Sequence, residues 1–230
     1  MARTWRQTWM TVFGVTVVLG ALLVIFLPSP GSRPASPRST CKNNLKQIGL
    51  ALLAYEQTYG SLPPAYIANK YGKPIHSWRV LLLPFLEQEM IYNLYDFNQP
   101  WDSPHNSKLA NSMPSGFRCA AADDLPDGLT NYIAVSGPGR NFDGAHATRL
   151  SEISDGIADT IMVIEVPDSQ AVPWFSPFEP AITTAASNHI GGANAIFVDG
   201  SVSFLPSDMP AATMTALQTI AGGEQVQLDD

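Results

Sequence analysis

The sequence predicts a mixed α+β chain: an N-terminal transmembrane helix, then a domain in which one long helix packs on an antiparallel β-sheet. Three stretches carry that expectation. Trp9–Leu27 is an uncharged apolar run close to the roughly 20 residues that span a bilayer. Thr40–Tyr59 repeats apolar residues at helical spacing. Asn194–Leu205 places two β-rich runs on either side of Asp199-Gly200, a strong local signal for a hairpin.

The anchor comes first. Arg3 and Arg6 precede the apolar run, and Trp5 and Trp9 sit at its edge, as interfacial residues do. The run is longer than the roughly 7–15-residue core of a signal peptide, and no clean small-x-small site follows it in the proline-rich stretch. An uncleaved single-pass anchor over residues 1–28 is therefore expected. Arg33, Arg38, Lys42 and Lys46 lie beyond it, so charge does not decide its orientation. Pro28–Pro37 holds four prolines and a glycine and reads as a stiff linker over residues 29–38. A domain over 39–206 and a tail over 207–230 follow.

In Thr40–Tyr59, Cys41, Leu45, Ile48, Leu52, Tyr55 and Tyr59 fall on one stripe. Lys42, Asn43, Asn44, Lys46 and Gln47 face away from it, while Leu50 and Leu53 widen the apolar girth. Such a helix is expected to be covered on more than one side. Ser39 or Thr40 is the expected N-cap, and Gly60 with Pro63-Pro64 ends the helix. Trp78–Tyr95 reads as short helices broken near Pro84, and Tyr132–Ser136 as a strand before the Gly137-Pro138-Gly139 turn. Thr160–Val166 is a continuous apolar strand, with Glu165 expected at its end and facing water. A two-residue turn at Asp199-Gly200 would pair Val198 with Ser201, Phe197 with Val202 and Ala195 with Phe204. Ala195, Phe197, Val202 and Phe204 would then cover the long helix. Ala211–Ala221 is a candidate short helix before a polar end that frays.

The formal net charge is −7, and every acid lies after residue 50. Beyond residue 32, eleven basic residues stand against twenty acidic ones. No basic patch exists for nucleic acid. There is no G-x-S-x-G elbow, H-E-x-x-H, Walker loop or G-x-G-x-x-G, so no catalytic residue and no cofactor are expected.

Cys41 and Cys119 are the two cysteines. Outside the cytoplasm they are a disulfide candidate; otherwise they are two buried thiols. That pairing favours a domain on the outer side of the membrane. Asp123, Asp124 and Asp127 beside Gly128 are weak calcium candidates; their spacing does not fit an EF-hand loop, and a solvated acidic loop is the expected reading. With four histidines scattered along the chain, no zinc site is expected. If Ala193–Val198 is a strand, His189 and Asp199 lie roughly 20 Å apart at its rise per residue. Asp199 is then a turn residue, and His189 caps or orders the Gly191-Gly192 loop. Trp101, among prolines and polar residues, reads as a plug onto the core.

Three stretches together resemble a known family: Cys41-Lys42-Asn43-Asn44-Leu45-Lys46-Gln47 with Ile48-Gly49-Leu50-Ala51; His76-Ser77-Trp78-Arg79-Val80-Leu81-Leu82-Leu83-Pro84 with Leu86-Glu87-Gln88; and His189 with Gly191-Gly192, nine residues from the histidine to Asp199-Gly200-Ser201-Val202. In this order they resemble the pseudopilin-like family with a prepilin-type N-terminus and an H-x9-D-G segment, domain of unknown function 1559. The likeness spans roughly residues 39–206, with Asn43, Asn44, His189, Asp199 and Gly200 at motif positions. It implies a pilin-like fold anchored in the inner membrane with its C-terminal domain extracytoplasmic, and no reaction. It also implies other pilin-like subunits or type II secretion components as partners. The front of the chain departs from the pattern: Gly14 is followed by Val15-Thr16-Val17-Val18-Leu19, with leucine where the prepilin glutamate should stand. A tethered domain that keeps residues 1–14 is expected. The alternative is an anchored binding module or hydrolase on cell-envelope polysaccharide, with Trp101 and Trp174 as a sugar platform.

Overall fold

The long helix α1 runs from Pro37 to Tyr59. The computed structural model describes residues 35–122, 124–224 and 226. Ser36 is the N-cap, its side chain accepting from the Ser39 N–H at 3.2 Å. The start lies upstream of the expected Ser39 or Thr40 because Pro37 suits the first helical position: its φ is already helical and it has no N–H to satisfy. Pro37 and Arg38, expected in the linker, are therefore helical. Gly60 closes the helix in the left-handed conformation at φ 75, and its N–H donates to the Glu56 carbonyl at 2.7 Å. Cys41, Leu45, Ile48 and Leu52 are buried on the predicted stripe, and Gly49 and Ala51 join them. Tyr59, at the far end of that stripe, is exposed.

A small hairpin follows, β1 (Tyr66–Ala68) against β2 (Pro74–Ser77). Next come α2 (Trp78–Leu82), a 3-10 turn at Leu83–Leu86 that accommodates Pro84, and α3 (Glu89–Leu94). The second half of the chain holds β3 (Leu129–Thr130), β4 (Tyr132–Ala134), β5 (Ile161–Glu165), β6 (Val172–Pro173), β7 (Gly192–Phe197), β8 (Val202–Pro206) and α4 (Ala211–Ala216). The main sheet is antiparallel with strand order β4-β5-β7-β8; β3 pairs with β6 separately.

Both faces of this sheet are buried, which explains why β5 and β7 are apolar almost throughout. One face, with Tyr132, Ala134, Val163, Ile196 and Val198, joins Leu45, Ile48 and Leu52 of α1 in one core. The other face, with Ile133, Ile164, Ala195, Phe197 and Leu205, is covered by Met214 and Leu217 at α4 and by Ile182. The short helix expected in the 207–230 segment thus packs on the sheet, with Met214 and Leu217 in its core. The 3-10 turns at Leu83–Leu86 and Ser115–Phe117 close over α1 from another side.

The β7–β8 hairpin is present, but its register differs by one residue from expectation. Ile196 pairs with Val202, Ala195 with Ser203 and Asn194 with Phe204. The loop is Val198-Asp199-Gly200, closed by the Gly200 N–H on the Phe197 carbonyl at 2.9 Å and the Phe197 N–H on the Ser201 carbonyl at 3.0 Å. Only Gly200 takes positive φ, at 79. Asp199 keeps negative φ while its side chain accepts from the Ser201 N–H at 2.8 Å. This is a three-residue loop with a glycine bulge, and the extra residue shifts every pairing. A one-residue shift exchanges faces. Ile196 and Val198, not Ala195 and Phe197, therefore meet α1.

The hairpin corner docks on that helix. Lys46 Nζ donates to the Gly200 carbonyl at 2.8 Å. A Cβ at Gly49 would stand 3.0 Å from Ile196 Cγ2, and one at Gly200 would stand 2.7 Å from Leu53 Cδ1. No helix among the described residues is long and apolar enough to cross a membrane. The expected anchor, Trp9–Leu27, and Gly14 lie outside the described residues, as does Asp123.

Candidate functional site

Cys41, Cys119, Glu165 and His189 meet beneath the first turns of α1. One ligating atom from each lies within 4.8 Å of all the others. Four sequence-distant segments deliver them. Cys41 sits one turn into α1, on the stripe that faces the sheet. Glu165 ends β5 on the same face as Val163, because side chains alternate along a strand. Cys119 follows the 3-10 turn Ser115–Phe117, and His189 lies in the loop entering β7.

Each side chain is held in place. The Cys41 and Cys119 sulfurs are 3.1 Å apart, and both cysteines are free and buried; the expected disulfide is not formed, although the pair is in contact. The Ala120 N–H donates to Cys41 Sγ at 3.1 Å, and the Ala121 N–H to Cys119 Sγ at 3.4 Å. Glu165 is fully buried, correcting the expectation that it faces water. A carboxylate in a buried strand needs partners, and Asn194 on the next strand provides two. Its backbone N–H and side-chain amide both donate to Oε2 at 2.8 Å. The other oxygen, Oε1, has no hydrogen-bond partner and lies 3.4 Å from His189 Nε2. His189 Nε2 is also 3.8 Å from Cys119 Sγ, and its side chain is 6% exposed.

The loop around His189 is fastened at its base. Ser187 Oγ accepts from the His189 N–H at 3.0 Å and donates to the Gly192 carbonyl at 2.6 Å. Asn188 donates to Asp168 at 2.7 Å, and Asn131 donates to the same carboxylate oxygen at 2.8 Å. The loop is thus tied by Ser187 and Asn188 rather than by the His189 side chain, whose ring turns towards Cys119 and Glu165. Asp199 serves the hairpin corner, as expected. Of the remaining motif residues, Asn44 donates to the Arg118 carbonyl at 3.1 Å and lies 3.4 Å from the Tyr132 hydroxyl, beside the cluster. Asn43 is exposed.

Burial sets the electrostatics. It pushes the Glu165 carboxyl up to about 7, against the opposing pull of the Asn194 N–H. The hydrogen bond from Cys119 draws the Cys41 thiol well below the ordinary thiol range, while Cys119 is pushed up by that contact and by burial. The Tyr132 hydroxyl is raised, chiefly by burial.

An open cleft of about 560 Å³ reaches the cluster from outside, bordered by Thr40, Asn44, Arg118, Cys119 and Ala120. The other sequence candidates do not converge. Asp124 is exposed, and Asp127 is 85% exposed with Arg118 3.7 Å away. Trp174 is fully buried, with its indole N–H donating to the Ala110 carbonyl at 3.0 Å. Trp101 packs edge-on against Phe175 at 5.7 Å, the plugging role expected of it.

The sequence reading missed the cluster because two cysteines and scattered histidines lack the short ligand spacings of a metal motif. One signal was present: an acid inside the apolar run Thr160–Val166 must find a buried partner. A family model described as "Protein of unknown function (DUF1559)" matches residues 32–147. No curated protein and no solved structure matches the chain.

Proposed function

From the premise that the chain belongs to the family of proteins of unknown function DUF1559, we propose a structural or interaction role rather than a catalytic one. The protein is a pseudopilin-like domain, tethered by residues 1–28 to the inner membrane and standing on its extracytoplasmic side. The observation that supports this most is the helix-on-sheet wedge. One long helix, α1, lies across one face of a four-stranded antiparallel sheet and is clamped there by the Asp199-Gly200 corner. Other pilin-like subunits or secretion components are the partners such a wedge would meet. The alternative, an anchored binding module or hydrolase on cell-envelope polysaccharide, is left with Trp101, half-buried against Phe175, because Trp174 is buried and offers no ring face to a sugar.

The test is made in cells, converted to spheroplasts for the protease step. Membrane fractionation, external protease treatment and mass spectrometry of the mature N-terminus are combined with crosslinking through the domain. The reading expects an integral membrane protein, digestible from outside, that keeps residues 1–14 and crosslinks to envelope proteins. An N-methylated residue 15 at the N-terminus would show prepilin processing instead. A soluble cytoplasmic protein, or one that cleaves envelope polysaccharide, would refute the proposal.

A further inference from the structure

We infer that Cys41, Cys119, Glu165 and His189 are the ligands of a bound zinc ion that pins the start of α1 to the end of the sheet. The inference stands apart from the proposed membrane role, since it rests on the cluster alone. The donor set is two sulfurs, one imidazole nitrogen and one carboxylate oxygen. Zinc binds these types in tetrahedral sites, with bonds of about 2.3 Å to sulfur and about 2.0–2.2 Å to nitrogen and oxygen. Such bonds place neighbouring ligand atoms about 3.3–3.8 Å apart. His189 Nε2 to Glu165 Oε1 is 3.4 Å, and Cys119 Sγ to His189 Nε2 is 3.8 Å. The sulfurs, at 3.1 Å, need to part by well under an ångström.

Three further observations point to a cation rather than to a pair of cysteines that only bond to each other. Glu165 Oε1 is fully buried, lacks a hydrogen-bond partner and faces the other donors. A disulfide would leave that oxygen as it is, whereas a cation would satisfy it. The Ala120 and Ala121 N–H groups aim at the two sulfurs, and such donors hold and orient metal thiolates. Asn194 fixes Glu165 through Oε2 and leaves Oε1 to ligate, an outer-shell arrangement of the same kind. Four protein ligands in a buried setting make a closed, structural site. On binding, the ion displaces the thiol protons, which pass to water. The cleft beside Cys119 is the entry path.

The test uses the full chain, purified in detergent without reductant, chelator or metal-binding tag. Elemental mass spectrometry is expected to find one zinc per chain. Cys41→Ser and His189→Gln should each abolish it, while Asp127→Asn, in the exposed acidic loop, should retain it. Asn194→Ala should weaken zinc binding about 10–100-fold in a chelator competition. If a ligand variant does not fold, cobalt substitution of the native chain gives a second readout: sulfur-to-cobalt charge-transfer absorption that a chelator removes. A native chain without metal that takes up no cobalt would overturn the inference. So would thiol counting that finds Cys41 and Cys119 bonded to each other.

Discussion

Arg79 and Glu179 form a forked ion pair sealed from water, with Nη1–Oε1 at 2.7 Å and Nη2–Oε2 at 3.0 Å. Trp78 donates to the same carboxylate at 2.8 Å, and Arg79 Nη2 also donates to the Tyr132 carbonyl at 2.7 Å. Burial pushes the Glu179 carboxyl up, and Arg79 pulls it back. Removing one partner strands a buried charge. Glu179→Ala should therefore cost about 3–5 kcal/mol, and the Arg79→Met/Glu179→Leu double variant less, measured by denaturant unfolding. His76 behaves differently. It is buried between the Tyr95 hydroxyl at 2.9 Å and the Phe97 carbonyl at 3.0 Å, and burial lowers its pKa below 6.5. The unfolded chain then binds the proton first, so stability is present above pH 6.5 and is lost as pH falls below it. The thermal midpoint of the native protein should drop more steeply between neutral and mildly acid pH than that of His76→Asn. An equal slope would remove His76 from the account. The sequence showed both residues as members of one motif but not their partners, which arrive 19 and 100 positions later.

At the scale of elements, the joint between α1 and the hairpin is the most exacting contact. Gly49 is the position where the helix meets β7, with Ile196 3.0 Å from where its Cβ would lie. Gly49→Val should overpack this contact and cost about 1–3 kcal/mol. Ile196→Ala in the same chain should recover part of that loss. Additive costs in the double-mutant cycle would mean that the two residues do not touch. Sequence reasoning located α1, its glycine stop, the broken helices around Pro84 and the hairpin itself, because each is written in local periodicity or turn chemistry. It misplaced the helix start because a proline-rich stretch reads as linker until its last proline is seen to open a helix. It misjudged the hairpin face because Asp-Gly serves both a two-residue turn and a longer bulged one. The register found sets Ile196 against Gly49 and the Gly200 carbonyl against Lys46.

For the whole molecule, the cluster under α1 unites segments that no local pattern connects. Cys41 and Cys119 are 78 positions apart, and Cys119 and His189 are 70. The antiparallel register of β4, β5 and β7 brings Tyr132, Glu165 and Asn194 side by side, and the loop before β7 adds His189. Only the finished fold assembles them, which is why the sequence suggested a cysteine pair and nothing more. An ion that binds the folded chain and not the unfolded one stabilises the fold by mass action. At free zinc about 1,000 times its Kd the gain is about 4 kcal/mol. Chelator should lower the thermal midpoint of the native chain, and Cys41→Ser, having no ion to lose, should be insensitive to it. The measurement that bears most directly on this account is X-ray absorption at the zinc edge of the purified full chain. The account predicts a four-coordinate ion with two sulfur and two nitrogen or oxygen neighbours. A spectrum with no sulfur neighbours would contradict it.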